Sequence, residues 1–165
     1  KKELLKREGI ISFNVDLTPE ERKSIERVSI ENELPQFDYF GPVNDELMKG
    51  LKVYFSKVGA NTEEITNNLS GLVARVAEGM QKDFLEESSW VMLRISFPNN
   101  EYDIPRWHSD GRYFAPKFKD EKVYKLVFTI KGPRTRFAEK IDTEEFERLS
   151  REISKNHSIK SDNSE

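Results

Sequence analysis

Apolar residues recur at helical spacing through most of the first half of the chain. The first such stretch opens on Thr18-Pro19-Glu20-Glu21, where Thr18 can cap, Pro19 suits the first helical position and Glu21 completes a capping box. It is expected to run to about Asn32, with Ile25 and Val28 inward, because Pro35 forbids continuation. A second helix, capped by Asn44 or Asp45, carries Leu47, Leu51, Tyr54, Phe55 and Val58. A third opens at Asn61-Thr62-Glu63-Glu64 and carries Ile65, Leu69, Leu72, Val73, Val76, Met80 and Phe84. Side chains three and four apart share a helix face, so these stripes read as core. Ahead of them, residues 1–8 predict a short charged helix that Gly9 ends, and residues 10–17 alternate as a half-buried strand does. Residues 35–42, bounded by prolines and crowded with Phe37, Tyr39 and Phe40, read as a loop.

The period changes in the second half. Residues 90–97 predict a strand buried on one face and partly on the other, broken by Pro98-Asn99-Asn100. Residues 122–130 predict another, and Gly132-Pro133 turns the chain. Arg136-Phe137-Ala138 reads as one more short strand, and residues 142–153 as a final helix with Phe146, Leu149 and Ile153. Helices, then strands, then one helix predict an α+β domain or a helix-supported β-sandwich. The expected organisation is a single domain over 1–153, with 1–88 mostly helical support, 89–138 a β core and 142–153 a helix. A polar tail follows over 154–165.

Composition changes this picture little. Charged residues make up 35% and apolar ones 36%, and the excess polarity sits mainly at the two ends. Net charge is −3 with both signs interspersed, so no basic stripe points to nucleic acid. With no cysteine there is neither a disulfide framework nor a thiolate site. No apolar run approaches a membrane span, and the expected location is the cytoplasm. The chain opens on Lys1 rather than methionine, which leads to the expectation of a piece of a longer protein.

Candidate chemistry centres on Ile104-Pro105-Arg106-Trp107-His108-Ser109-Asp110-Gly111. Residues i and i+2 of an extended segment point to one side, so His108 and Asp110 can reach one cation. An imidazole and a carboxylate, joined by a second histidine, form the facial triad of non-haem ferrous oxygenases. The same residues can instead be a solvent-facing histidine in a turn signalled by Asp110-Gly111. Arg94, on the strand before the motif, shares a face with Trp90 and Met92 and would point inward if they do. Tyr102 and Tyr113 flank the motif and could donate to a carboxylate, while Arg134 and Arg136 follow the Gly-Pro turn.

From residue 90 to residue 138 the chain resembles the first half of the double-stranded β-helix of the 2-oxoglutarate- and Fe(II)-dependent dioxygenases. The strand, the loop to His108-Ser109-Asp110, the strand ending Leu126-Val127-Phe128-Thr129-Ile130, and Gly132-Pro133 with Phe137 follow that family's order. The N-terminal layout from Leu5 to Glu21 is similar too: helix, glycine, short strand, capped acidic helix start. The resemblance implies N-terminal helices packed on a jelly-roll-like sheet core. It implies Fe(II) held by His108 and Asp110, with 2-oxoglutarate as small-molecule co-substrate, and an unidentified substrate that is hydroxylated or demethylated. Arg94, Tyr102 and Tyr113 are the candidate co-substrate contacts. The family's second histidine is followed by an arginine or lysine that pairs with the 2-oxoglutarate carboxylate. Here the candidate is His157, 47 positions past Asp110 (157 − 110), in the polar segment Ser154-Lys155-Asn156-His157-Ser158, with Lys160 after it. The family's sheet also needs about eight strands, more than the five or six readable here, so a continuation past Glu165 is expected. A non-catalytic binding domain on the same jelly-roll frame stands as the alternative.

Overall fold

The structure, a computed structural model, describes residues 14–97, 125–132 and Arg148. It divides the chain into two compact units: the first is Lys1–Phe97 with Ile130–Gly132, the second Pro98–Thr129 with Pro133–Glu165. The first unit contains α1 (Pro19–Arg27), β1 (Phe37–Gly41), α2 (Asp45–Lys57), α3 (Glu63–Phe84) and β2 (Ser89–Leu93). The fold is therefore mixed helix and strand, with three helices and one two-stranded antiparallel sheet among the described residues.

Each helix starts where a side chain can take its orphan amides. Thr18 Oγ1 accepts from Glu21 N at 3.1 Å and Glu21 Oε2 accepts from Thr18 N at 2.8 Å, a reciprocal box behind Pro19. Asn44 Oδ1 accepts from Glu46 N and Leu47 N at the head of α2, and Thr62 Oγ1 accepts from Ile65 N at the head of α3. These are the starts expected from sequence.

The end of α1 is not. It stops at Arg27 rather than near Asn32, because the connection from α2 to α3 claims the backbone that would continue it. Asn61 accepts from Ser29 N at 2.8 Å and donates to Ser29 O at 3.0 Å, while Glu31 N and Asn32 N both donate to Val58 O. The approach is close enough that a Cβ on Gly59 would lie 2.5 Å from Ser29 O.

The core lies between the three helices and one face of the sheet. Leu47, Leu51 and Leu69 are fully buried, and Val28, Val58, Ile65, Val73 and Val91 join them. Phe37 packs on Tyr54 at a ring-centroid distance of 5.7 Å, and Gly50 makes room for the Phe37 ring, which a Cβ there would meet at 3.0 Å. Arg75 on α3 reaches α1: its Nη2 lies 2.8 Å from Glu21 Oε2, its Nε donates to Glu21 Oε1, and Nη2 also donates to Asp16 O. The carboxylate of the capping box is thus neutralised from a second helix.

Residues 35–42, expected as a loop, contain β1. Phe37, Asp38, Tyr39 and Phe40 alternate in burial, and Phe37↔Leu93, Asp38↔Met92, Tyr39↔Val91, Phe40↔Trp90 and Gly41↔Ser89 are partners. The flanking prolines mark the ends of the strand, not its absence. Gln81 on α3 ties both strands down, donating to Gly41 O at 3.1 Å and to Ser89 Oγ at 3.0 Å. β2 begins one residue before the expected strand and ends at Leu93, although burial continues to alternate through Ile95. Residues 14–17, the described part of the first expected strand, belong to no strand.

In the second unit, residues 125–129 are described. Lys125 and Val127 are exposed while Leu126 and Phe128 are half-buried, the alternation expected of a strand, yet no strand is assigned there. Arg148 is helical and falls within the expected 142–153 helix. The expected elements at 1–8 and 136–138 lie outside the described residues.

Candidate functional site

β2 is the element that leads toward the candidate metal segment. Its residues alternate between two sides: Val91, Leu93 and, just beyond it, Ile95 pack on the helical core, while Trp90, Met92 and Arg94 point away from it. The hydrophobic partners of that outer face come from β1. Phe40 stands directly opposite Trp90, and the three apolar side chains are 73% (Phe40), 45% (Trp90) and 42% (Met92) exposed.

The outer face also carries a polar group held in place. Asp38 Oδ1 accepts from the Trp90 indole Nε1 at 2.9 Å across the sheet, and Asp38 Oδ2 accepts from Gln36 Nε2 at 2.7 Å. These two bonds fix the carboxylate and bias the indole orientation. Asp38 and Phe40 lie in the segment 35–42 that the sequence predicts as a loop. Apolar and polar residues alternate over Phe37-Asp38-Tyr39 alone, and the apolar but exposed Phe40 breaks the pattern, so the strand signal in the sequence is weak.

Of the site residues expected from sequence, the structure describes Arg94. It lies immediately after β2, exposed, on the side of Trp90 and Met92 and away from the helices. The pairing of its phase with Trp90 and Met92 is as expected, and that shared face is turned from the helical core. His108, Asp110, His157, Tyr102 and Tyr113, together with Trp107, Arg134 and Arg136, lie outside the described residues. Among the described residues no group of three or more His, Asp or Glu side chains could hold a metal ion. No described helix is long and apolar enough to cross a membrane.

Among the described residues, the one marked electrostatic departure is in the core, not on this face. Burial pushes the Tyr54 hydroxyl above its ordinary value of 10.0, since the phenolate would lose its hydration. Its hydroxyl has no hydrogen-bond partner among the described residues, as is also true of Ser70 Oγ.

Comparisons with protein-family models, with curated proteins and with solved structures find no match to this chain.

Proposed function

We propose that this chain is an Fe(II)- and 2-oxoglutarate-dependent oxygenase in which His108 and Asp110 supply two metal ligands and His157 the third. The observation that carries the reading is the His108-Ser109-Asp110 spacing, placed 15 positions after the last residue of β2 (108 − 93). A neutral imidazole and an ionised carboxylate with i, i+2 spacing suit a ferrous ion and leave room for a further protein ligand. The two-faced burial of β2 supports it as well. A strand with helices on one side and apolar side chains on the other is compatible with a sheet that packs against a second sheet.

Iron bound by three protein groups would supply open coordination positions for co-substrate and oxidant. The chain's own part is to hold the imidazole neutral, orient the carboxylate and bind the distal end of 2-oxoglutarate. Arg94, whose planar guanidinium can pair with a carboxylate through two bonds, is the described candidate for that last role. Tyr102 and Tyr113 are the candidate hydroxyl donors. The substrate is one that is hydroxylated or demethylated.

The test is an anaerobic titration with Fe(II) and 2-oxoglutarate, read by the weak visible charge-transfer band of the chelate. The band is expected in the parent protein, lost in His108→Ala and in Asp110→Ala, and lost or shifted in His157→Ala. A parent protein that gives no band overturns the proposal. A catalytically inactive binding domain is then the reading that remains, favoured by the exposed Phe40, Trp90 and Met92.

A further inference from the structure

The chain enters the first unit a second time for three residues, Ile130–Gly132, with second-unit sequence on either side. Each of the three has a distinct part there. Ile130 packs against the first unit's core, as Ile95 does. Lys131 Nζ donates to Val28 O at 2.8 Å and to Glu26 O at 3.3 Å, across more than a hundred positions of sequence. Gly132 adopts φ +101°, a conformation that side chains disfavour, and open space surrounds it.

The carbonyls that Lys131 takes are chemically apt. α1 ends at Arg27, so its last carbonyls have no in-helix donor, and the helix dipole places partial negative charge there. An ammonium is the preferred partner at that position, and it supplies two donors at once. Ile130 seats the segment and Lys131 binds it.

We infer that Ile130–Gly132 is a charge-dependent clasp on the C-terminal end of α1, closed by the Lys131 ammonium. Ile95 and Ile130 both rest on the same core, so the sequence between them, which includes His108 and Asp110, starts and finishes on the first unit. On the oxygenase reading proposed above, Lys131 is a positioning residue. It fixes where that intervening sequence returns, and it need not touch metal or substrate.

The experiment compares the parent chain with Lys131→Met, which keeps the stem and removes the charge, and with Lys131→Arg, which keeps the charge. Hydrogen exchange is read at the Val28 amide, bonded to Ser24 O, and at the amides of 130–132. Lys131→Met is expected to speed exchange roughly 5-fold and Lys131→Arg to stay near the parent. Unchanged exchange in Lys131→Met overturns the clasp, as does equal acceleration in both variants, since charge would then not be the agent. The same three proteins are titrated with Fe(II) and 2-oxoglutarate. Lys131→Met is expected to need severalfold more Fe(II) for half-formation of the band, and parent-like affinity overturns the positioning role. A parent without the band sinks the oxygenase reading alone, while the exchange comparison still decides the clasp.

Discussion

Tyr54 has a phenol ring that the core needs and a hydroxyl that it leaves without a partner among the described residues. Desolvating an unpaired hydroxyl is unfavourable, while the ring packs against Phe37 and Phe55. Tyr54→Phe is therefore expected to raise stability by about 1 kcal/mol, seen as a higher urea midpoint with unchanged slope. A lower midpoint would mean that the hydroxyl is bonded after all. The alkaline limb gives an independent check. The folded pKa lies above the unfolded one, so the native state holds the proton more tightly. The stability linked to this group is complete below about pH 10 and is lost as pH rises from there through the folded pKa. Tyr54→Phe should remove that part of the alkaline loss. None of this was legible in the sequence, where Tyr54 read simply as one of five apolar-stripe residues in its helix. Gly59 and Gly50 are similar cases: the need for glycine comes from Ser29 O and the Phe37 ring, which sequence places far away.

The helices differ in how their two ends are determined. Their starts are local: Thr18, Asn44 and Thr62 each bond amides two or three residues on, so a short window of sequence contains the whole device. Their ends depend on neighbours or on strain. α1 yields its last expected turn to Asn61 and Val58, both outside its own window. α3 closes with Leu85 at φ 60°, ψ 35°, a left-handed cap on a side chain that is 87% exposed. Glycine is the usual occupant of such a cap because it lacks the Cβ that crowds the carbonyl. Leu85→Gly is expected to stabilise the first unit by about 0.5–1 kcal/mol, read as a higher thermal midpoint. A fall in that midpoint would show that the leucine side chain holds something in place. β1 shows the converse: it is a strand between two prolines whose alternation of apolar and polar residues covers only Phe37-Asp38-Tyr39, so its pairing with β2 rather than its own pattern makes it a strand.

At the scale of the molecule, the first unit is held by a small apolar centre with polar ties around it. Leu69 sits in that centre, fully buried among side chains from α2, α3 and the sheet. Leu69→Ala is expected to cost about 2–5 kcal/mol, from lost transfer energy and the cavity left behind. A loss below about 1 kcal/mol in denaturant unfolding would contradict this placement of the core. The ties are long-range: Arg75 to Glu21, Gln81 to Gly41 and Ser89, Lys131 to Val28. Each joins elements that the apolar pattern alone leaves unconnected. The candidate iron site has the opposite standing. It rests on the spacing of His108, Ser109 and Asp110, which follow β2 and Arg94 in sequence and lie outside the described residues.

Sequence by itself determined where the three helices of the first unit start, most of the face each buries and the strand phase that groups Trp90, Met92 and Arg94, although along α3 Ala74 and Ala77 are buried while Val76, Met80 and Phe84, expected in the core, are half-buried. Those features follow from bonds and periodicities spanning a few residues, so the chain specifies them wherever it is placed. Tertiary structure alone decided that 37–41 is a strand, because a strand exists only when Ser89–Leu93 comes alongside. It likewise decided where α1 stops and that Lys131 closes on it. In each case the deciding partner is a backbone group distant in sequence, and no local pattern encodes how close it will come.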